Sequence, residues 1–257
     1  MKRTIIIEIE KVDAKNPILI EGLPGLGMVG RIAVKYLIKH LKARKIAELY
    51  SPHFAYYVIV DSDNGSVTLL KNEFYYWKNE YGNHDLILLT GDSQAQTIDG
   101  QYEVAETILK YAKKKNVKLI ITIGGYRKEV VGTPSVFASA TDLEVLKRAL
   151  EAGSVSSPAG NPIVGIAGLL LGLAKLKGIS GACLLSETPG YMPDPRAAKS
   201  ALTIISRMLD LRLDLTDLDR EISKIAQLEE ELRKMEEQRK ATEEEVLRRE
   251  RGAFYIG

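Results

Sequence analysis

Apolar strands alternate with amphipathic helices along most of this chain, and that alternation constrains its fold more than any other feature. Two runs, Leu86–Leu89 and Leu119–Ile121, are continuously apolar, as in parallel strands that helices cover on both faces. Helical patterns at Asp99–Lys115 and Asp142–Ala152 separate the strands. This order predicts an α/β sandwich around a mixed, mainly parallel sheet, with an antiparallel excursion near residues 56–77.

Periodicity and turn residues give the predicted elements. The predicted strands are Thr4–Ile9, Pro17–Glu21, Ile46–Tyr50, Tyr56–Val60, Ser66–Leu70, Glu73–Trp77, Asp85–Thr90, Val117–Ile123, Val136–Ala138 and Ala182–Ser186. The predicted helices are Met28–Ala43, Asp99–Lys115, Asp142–Ala152, Pro162–Lys175 and Pro195–Leu209. The run Asp63–Ser66 is typical of a hairpin turn. Because Ile163–Ala174 is apolar all round, we expect it to be a buried helix.

Composition excludes several classes of protein. The 257 residues include one cysteine and three histidines, which argues against a disulfide framework and a multi-cysteine zinc site. No run approaches the roughly 18 apolar residues that span a bilayer, and Ile5–Ile7 is too short for a signal peptide. The net charge of +2 favours no polyanionic partner. We therefore expect a cytoplasmic protein that binds neither nucleic acid nor membranes and holds no metal.

The near-neutral charge is the sum of two unlike parts. Residues 217–251 hold 12 acidic and nine basic residues, a net of −3, with no Gly, Pro or aromatic residue. The remainder therefore carries +5. The sequence predicts an α/β domain over residues 1–210, a charged helical arm over 211–251 and a short uncharged tail over 252–257.

The arm begins with apolar residues at coiled-coil spacing. Their steps of four, three, four and three residues predict a seam of about two heptads that packs the arm or an oligomer. The seam residues are Leu211, Leu215, Leu218, Ile222 and Ile225. The last four residues after Ala253 are Phe254, Tyr255, Ile256 and Gly257. A charged helix with an apolar end indicates a docking peptide, because C-terminal carboxylates are captured in partner pockets.

A glycine loop offers an alternative reading as a nucleotide site. Gly25, Gly27 and Gly30 match G-x-G-x-x-G between a strand and a helix, as a dinucleotide site requires. A tight turn with close helix–sheet packing needs the same glycines. From the sequence alone, both interpretations of these glycines, a nucleotide site and a packed turn, remain open.

Two other stretches after strands resemble parts of enzyme sites. Ser93 follows a strand in a loop like a nucleophile elbow, but every histidine precedes it, whereas that triad places its histidine after the serine. We therefore interpret Ser93 and Thr97 as loop or helix-cap residues and predict no catalytic residue. Gly124 and Gly125 follow an apolar strand. They mark the carboxyl edge of the sheet, where ligands of α/β folds often bind, or else form a turn that needs positive φ.

Four spaced motifs together resemble the archaeal branch of the proteasome assembly chaperone family over about residues 1–210. The motifs are Gly22–Gly30, Ile123–Tyr126, Gly165–Leu171, and Thr188–Tyr191 with Pro195 and Ala198. The resemblance implies a three-layer α/β/α sandwich, like that of nucleoside phosphorylases but without their catalysis. It also implies a homo-oligomeric, ATP-independent chaperone that binds proteasome α subunits and needs no cofactor.

The tail resembles the hydrophobic–Tyr–any motif with which proteasome activators dock between α subunits. Phe254 and Tyr255 match the first two positions, but Tyr255 is third from the end instead of second. One extra residue displaces the carboxylate by up to about 3.5 Å. We therefore hypothesise a chaperone whose arms present this tail to proteasome α subunits. The alternatives are a nucleotide- or nucleoside-binding enzyme that uses the glycine loop, and a coiled-coil adaptor for another complex.

Overall fold

The computed structural model describes residues 1–61, 65–80, 82–225 and 227, and the predicted α/β fold is confirmed within them. The chain divides into two compact units, residues 1–214 and 215–257. In the described residues, the helices are all too short or too polar to cross a membrane.

The strands of the first unit agree with the predicted ones to within a few residues at each end. They are β1 (Ile5–Glu8), β2 (Ile18–Glu21), β3 (Arg44–Tyr50), β4 (Val58–Val60), β5 (Val67–Leu69), β6 (Asn72–Trp77), β7 (Leu86–Gly91), β8 (Leu119–Arg127), β9 (Val136–Ala140), β10 (Val155–Ser156) and β11 (Ser180–Thr188). The helices are α1 (Val29–His40), α2 (Ile98–Lys114), α3 (Leu143–Glu151), α4 (Ile166–Leu176) and α5 (Pro195–Met208). Strand β10 was not predicted.

Nine of these strands form one sheet in the order β1-β3-β6-β7-β2-β8-β11-β9-β10. The centre is parallel, because β2 pairs parallel with β7 and β8, and β8 pairs parallel with β11. The flank formed by β1, β3 and β6 is antiparallel; of these strands, β6 lies in the region near residues 56–77 for which antiparallel pairing was predicted. Every residue of β2 and β7 is buried, which explains the continuous apolar run Leu86–Leu89 in β7.

Helices cover the two faces of the sheet as separate layers. Helix α5 packs against α1 and α3, whereas α2 packs against α4. Beneath α2 and α4 lies the main core cluster, which includes Phe74, Leu89, Ile108 and Leu170. Side-chain caps begin several helices: Thr97 accepts a hydrogen bond from the Gly100 N–H at the start of α2, as polar N-cap residues commonly do.

Two sequence interpretations need correction. Gly124 and Gly125 lie inside β8 without positive φ, because β8 continues to pair with β11 as far as Arg127. The apolar segment Ile163–Ala174 is not buried all round: its helix begins at Ile166, and Gly172 faces solvent. Helix α4 therefore has more apolar residues than the side of the helix that faces the core can bury.

Strands β4 and β5 form a separate two-stranded sheet. They are antiparallel, with Val60 opposite Val67. The Asp61 N–H donates to the Ser66 carbonyl at 2.8 Å, and Gly65 has a φ of +69°. The predicted hairpin is therefore confirmed.

The described part of the arm contains a helix, α6, at residues 216–225. It begins five residues later than the predicted arm, so Leu211 and Leu215 precede it. Leu218 is buried, and Ile222 and Ile225 are half-buried. These three residues keep the four-and-three spacing that places side chains on one helical face.

Candidate functional site

The four motifs that carry the family resemblance meet at one edge of the sheet. Strands β2, β8 and β11 run parallel, so the segments that follow them emerge at the same edge. Gly22 follows β2, and Pro189 follows β11. Ligands of open α/β folds bind at this carboxyl edge of the sheet, so this edge is the candidate functional site.

The glycine loop is shaped by close contacts with its own sheet. A Cβ on Gly30 would lie 2.4 Å from the Ile123 carbonyl oxygen, and one on Gly22 would lie 2.1 Å from the Gly30 carbonyl oxygen. Gly27 has a φ of +57°, and its Cβ would lie 2.6 Å from Thr188 Oγ1. Packing and backbone geometry therefore account for the glycines at 22, 27 and 30, as in the turn-and-packing reading of this motif.

Gly25, the first glycine of the proposed nucleotide motif, is less constrained by its neighbours than Gly27 and Gly30. A Cβ on Gly25 would meet only the Gln94 side chain, at 3.8 Å. Gly25 precedes a short 3₁₀ turn at Leu26–Met28, and Met28 has a φ of +51° at the start of α1. The loop thus bends by means of two successive left-handed residues, Gly27 and Met28.

Gln94 fastens the glycine loop to α4. Its Nε2 donates to the Pro24 carbonyl at 2.7 Å, and its Oε1 accepts from the Ile166 N–H at 3.0 Å. The first turn of a helix leaves N–H groups without intrahelical partners, and Gln94 satisfies one of them. Gly165, which precedes this helix, has a φ of +87°. One side chain from the loop after β7 therefore joins two of the family motifs.

Thr188 and Asp194 join the glycine loop to α5. The Thr188 hydroxyl donates to Asp194 Oδ2 at 2.9 Å and accepts from the Gly190 N–H at 3.2 Å. Asp194 Oδ1 accepts from the N–H groups of Arg196 and Ala197, which caps α5. The Asp194 N–H donates to the Gly27 carbonyl at 2.8 Å. Asp194 is buried, so these bonds fix the connection between β11 and α5.

A buried carboxyl group lies at the centre of this edge. Glu21 is 1% exposed, and its Oε1 accepts from the Leu23 N–H at 2.9 Å. Burial raises the pKa of Glu21 to about 8, because desolvation disfavours the charged form. Across the sheet Glu21 pairs with Thr122, which pairs with Cys183. Cys183 is fully buried, and this burial raises the pKa of its thiol to about 12.

An exposed rim surrounds these buried contacts. Tyr191 and Met192 are 76% and 67% exposed, and the Arg127 guanidinium lies 5.3 Å from the centroid of the Tyr191 ring. Leu26, at the tip of the glycine loop, is also exposed. This rim combines apolar and cationic groups, as protein-binding surfaces do.

Ser93 and His53 have other bonding partners. The Ser93 hydroxyl donates to the Gln94 carbonyl at 2.8 Å. His53 Nδ1 lies 3.2 Å from Thr97 Oγ1, and its Nε2 lies 3.3 Å from Glu103 Oε2. The interpretation of Ser93 and Thr97 as loop and cap residues agrees with this geometry.

The predicted docking residues lie elsewhere in the chain. Phe254, Tyr255, Ile256 and Gly257 are outside the described residues, as is the arm beyond residue 227.

Sequence reasoning did not single out Gln94 and Asp194 as residues that join the motifs. Asp194 had a usable signal, since an aspartate directly before Pro195 and an apolar helix pattern is typical of an N-cap. Gln94 had none, because its partners are 70 and 72 residues away.

Comparison with known proteins gives a family match over most of the chain. Residues 19–234 match the model described as the PAC2 family. An uncharacterised protein of Methanocaldococcus jannaschii is 34% identical over 250 residues, which cover 95% of this chain and 93% of the relative.

Two solved structures from Pyrococcus furiosus share the fold and much of the sequence. One is PbaB, described as an archaeal proteasome activator, with 42% identity and a TM-score of 0.85 over 90% of this chain and 99% of that one. The other is PbaA, described as an archaeal homolog of proteasome-assembly chaperone, with 29% identity and a TM-score of 0.76 over 99% and 100%. The suspected resemblance is thus confirmed, and this chain belongs to the PAC2 family.

Proposed function

We propose that this chain is an ATP-independent proteasome assembly chaperone or proteasome-binding factor that engages proteasome α subunits. Its similarity to PbaB, at 42% identity over 90% of the chain, is the observation that carries the proposal. PbaA, also similar over nearly the whole chain, is described as a homolog of a proteasome-assembly chaperone.

We propose that the chain acts by binding and not by catalysis. The packing of the carboxyl edge supports this, because the glycine loop is occupied by contacts with Ile123 and Thr188. Loops and helices are joined here by hydrogen bonds from the side chains of Gln94, Thr188 and Asp194. In that role the motif residues build the body that carries an arm and a tail.

The arm and tail are the proposed contact with α subunits. Phe254 and Tyr255 supply the apolar and aromatic groups, and Gly257 supplies the terminal carboxylate. In a homo-oligomer several tails reach the same α ring, and linkage raises apparent affinity through effective concentration. Tyr255 stands one residue further from the carboxylate than in the activator motif, so the tyrosine contact and the carboxylate contact need separate tests.

A pull-down with purified proteasome α subunits tests the proposal. We expect the full chain to retain α subunits, and both Tyr255→Ala and deletion of residues 253–257 to lower retention at least about tenfold, since aromatic anchors dominate small interfaces. Tyr102→Ala is the matched control, because Tyr102 is a 51% exposed tyrosine on α2, far from the tail in sequence.

The outcomes separate the parts of the proposal. Undiminished retention by both tail variants removes the tail from the mechanism and leaves the partner in place. Failure of the full chain to retain α subunits contradicts the partner itself. A loss with the deletion but not with Tyr255→Ala assigns the contact to the carboxylate or to Phe254 and Ile256.

A further inference from the structure

The antiparallel flank of the sheet carries a large exposed apolar surface, which we call the hairpin patch. It combines one side of β1 with the hairpin of β4 and β5. Its ten apolar residues are each at least 38% exposed. They are Ile5, Ile7, Ile9, Tyr56, Tyr57, Val58, Ile59, Val60, Val67 and Leu69.

The two parts of the patch border one groove. Ile5 and Ile7 of β1 line it together with Val67 and Leu69 of the hairpin. The hairpin strands pair only with one another within the described residues, and isolated two-stranded hairpins are marginally stable in water. Burial of its apolar side chains against another protein surface would therefore stabilise this hairpin.

The size of the patch fits a protein interface. Large side chains present about 150–250 Å² each when fully exposed, and Tyr56 is completely exposed. At these exposures the ten residues expose on the order of 850–1,400 Å² in total. Because successive strand residues point to opposite faces, the face that borders the groove supplies only part of this area, which is comparable with the roughly 800 Å² per partner of a standard interface. The largest patch on an ordinary monomer is about 300–600 Å².

The charges beside the patch neutralise one another. Lys45 Nζ lies 3.0 Å from Glu48 and 2.7 Å from Glu73, and Lys71 Nζ lies 2.6 Å from the same Glu48 oxygen. Glu48 is also the cross-strand partner of Ile7. These four charges can therefore face a copy of the chain without net like-charge repulsion, whereas Lys2 and Arg3, which also line the groove, add positive charge to it.

Strand β1 also presents a free backbone edge, because it stands at one end of the sheet. The Ile9 N–H donates to the Ile46 carbonyl on the β3 side, and bonding alternates along an antiparallel pair. The N–H and C=O groups of Ile6 and Glu8 therefore point away from β3. An unpaired extended edge of this kind pairs most readily with another edge strand.

We infer that the hairpin patch is the surface on which a second copy of this chain packs, with the two β1 strands antiparallel across a two-fold axis near Ile6. This register places Ile5 opposite Ile7 of the second copy, so that apolar side chains of the two β1 strands meet. A two-fold contact uses the same patch on both copies and closes, so it forms a dimer and not an open fibre. The inference deepens the self-association in the proposed function by naming its surface.

Mass measurement of the full chain in solution by sedimentation tests the inference. We expect the wild-type chain to be a dimer or a multiple of one, and Ile7→Lys to weaken the contact through this patch at least 100-fold, which halves the mass at micromolar concentration. Val60→Asp in the hairpin gives a second variant whose side chain is 62% exposed and therefore not needed for folding the body. Leu176→Lys is the matched control, because Leu176 is an 82% exposed leucine on α4.

Amide hydrogen exchange gives a second readout. The Ile6 and Glu8 amides should exchange slowly in the wild-type chain and at least tenfold faster in Ile7→Lys, while the amides of the buried strand β2 stay protected in both. A monomeric wild-type chain overturns the inference, and so does an oligomer that survives both patch variants. Dissociation by Leu176→Lys alone assigns the interface to α4 and overturns it as well. Because none of these measurements uses proteasome subunits, their failure is distinct from failure of the pull-down.

Discussion

Glu21 is the residue whose environment departs most from what its chemistry favours. Its carboxyl group is buried at the centre of the sheet with one hydrogen bond, from the Leu23 N–H. Since burial raises its pKa to about 8, the folded chain holds this group protonated at neutral pH. The unfolded chain releases the proton near the ordinary value of 4.5.

This difference makes stability depend on pH. Between about pH 4.5 and pH 8 the folded state binds one more proton at Glu21 than the unfolded state, so the free energy of unfolding falls as pH rises, by at most about 1.4 kcal/mol per pH unit. Glu21→Gln keeps an oxygen for the Leu23 N–H and removes the titration. We expect the variant to gain stability over wild type progressively through this window, by a few kcal/mol at pH 8.

Denaturant unfolding at pH 5, 6, 7 and 8 measures the effect. The exposed Glu129→Gln is the matched control and should follow the wild-type pH dependence. A constant difference between Glu21→Gln and wild type at all four pH values would show that Glu21 is already ionised in the folded chain.

At the level of secondary structure, the sequence predicted elements well wherever the pattern was local. The continuous apolar runs of β7 and β8 identified the parallel centre because both faces of those strands are buried. The predicted helices start and end within a few residues of the observed ones because residues such as Thr97 and Asp142 provide side-chain caps.

The elements that were missed depend on distant partners. Strand β10 has only two residues, Val155 and Ser156, and exists because Phe137 and Ala138 in β9 lie beside it. Gly124 and Gly125 are typical of a turn, but pairing with β11 keeps them extended. The contacts of Gln94 with the glycine loop and α4 were equally inaccessible, since sequence spacing does not encode which loops meet at the sheet edge.

The packing of α1 on the sheet gives a prediction for the glycine loop. In Gly30→Ala the added Cβ would lie 2.4 Å from the Ile123 carbonyl oxygen and 3.0 Å from Gly22 Cα. Both neighbours are backbone atoms of packed elements, so α1 must shift away from the sheet. We expect a loss of about 1–3 kcal/mol in the free energy of unfolding, as for other overpacked sites.

Gly172→Ala in α4 is the matched control for this change. Gly172 is also helical, but nothing lies within 4 Å of the position of its Cβ. Alanine there reduces the entropy of the unfolded chain and should add about 0.5–1 kcal/mol of stability. Denaturant unfolding of both variants should therefore give opposite signs, and a tolerated Gly30→Ala would mean that the loop is looser than its contacts imply.

At the scale of the whole molecule, the near-zero net charge conceals a body of +5 and a negatively charged stretch of −3 at residues 217–251. Beside the hairpin patch, Lys45 and Lys71 are paired with Glu48 and Glu73. The surface proposed for self-association and the tail proposed for α subunits use different residues, far apart in the sequence, which allows each to be removed without the other.

This separation predicts a coupling between self-association and proteasome binding. If several tails act on one α ring, Ile7→Lys should lower the apparent affinity for immobilised α rings by about 100-fold or more, since linked sites gain that much from effective concentration. Its tail is intact, so its affinity for a single isolated α subunit should match that of wild type. Surface-binding measurements on rings and on single subunits give both values, with Leu176→Lys as the control that keeps the wild-type affinity for rings. Equal losses on rings and on single subunits would instead mean that the hairpin patch itself contacts the α subunit, because avidity has no effect on a partner that offers only one site.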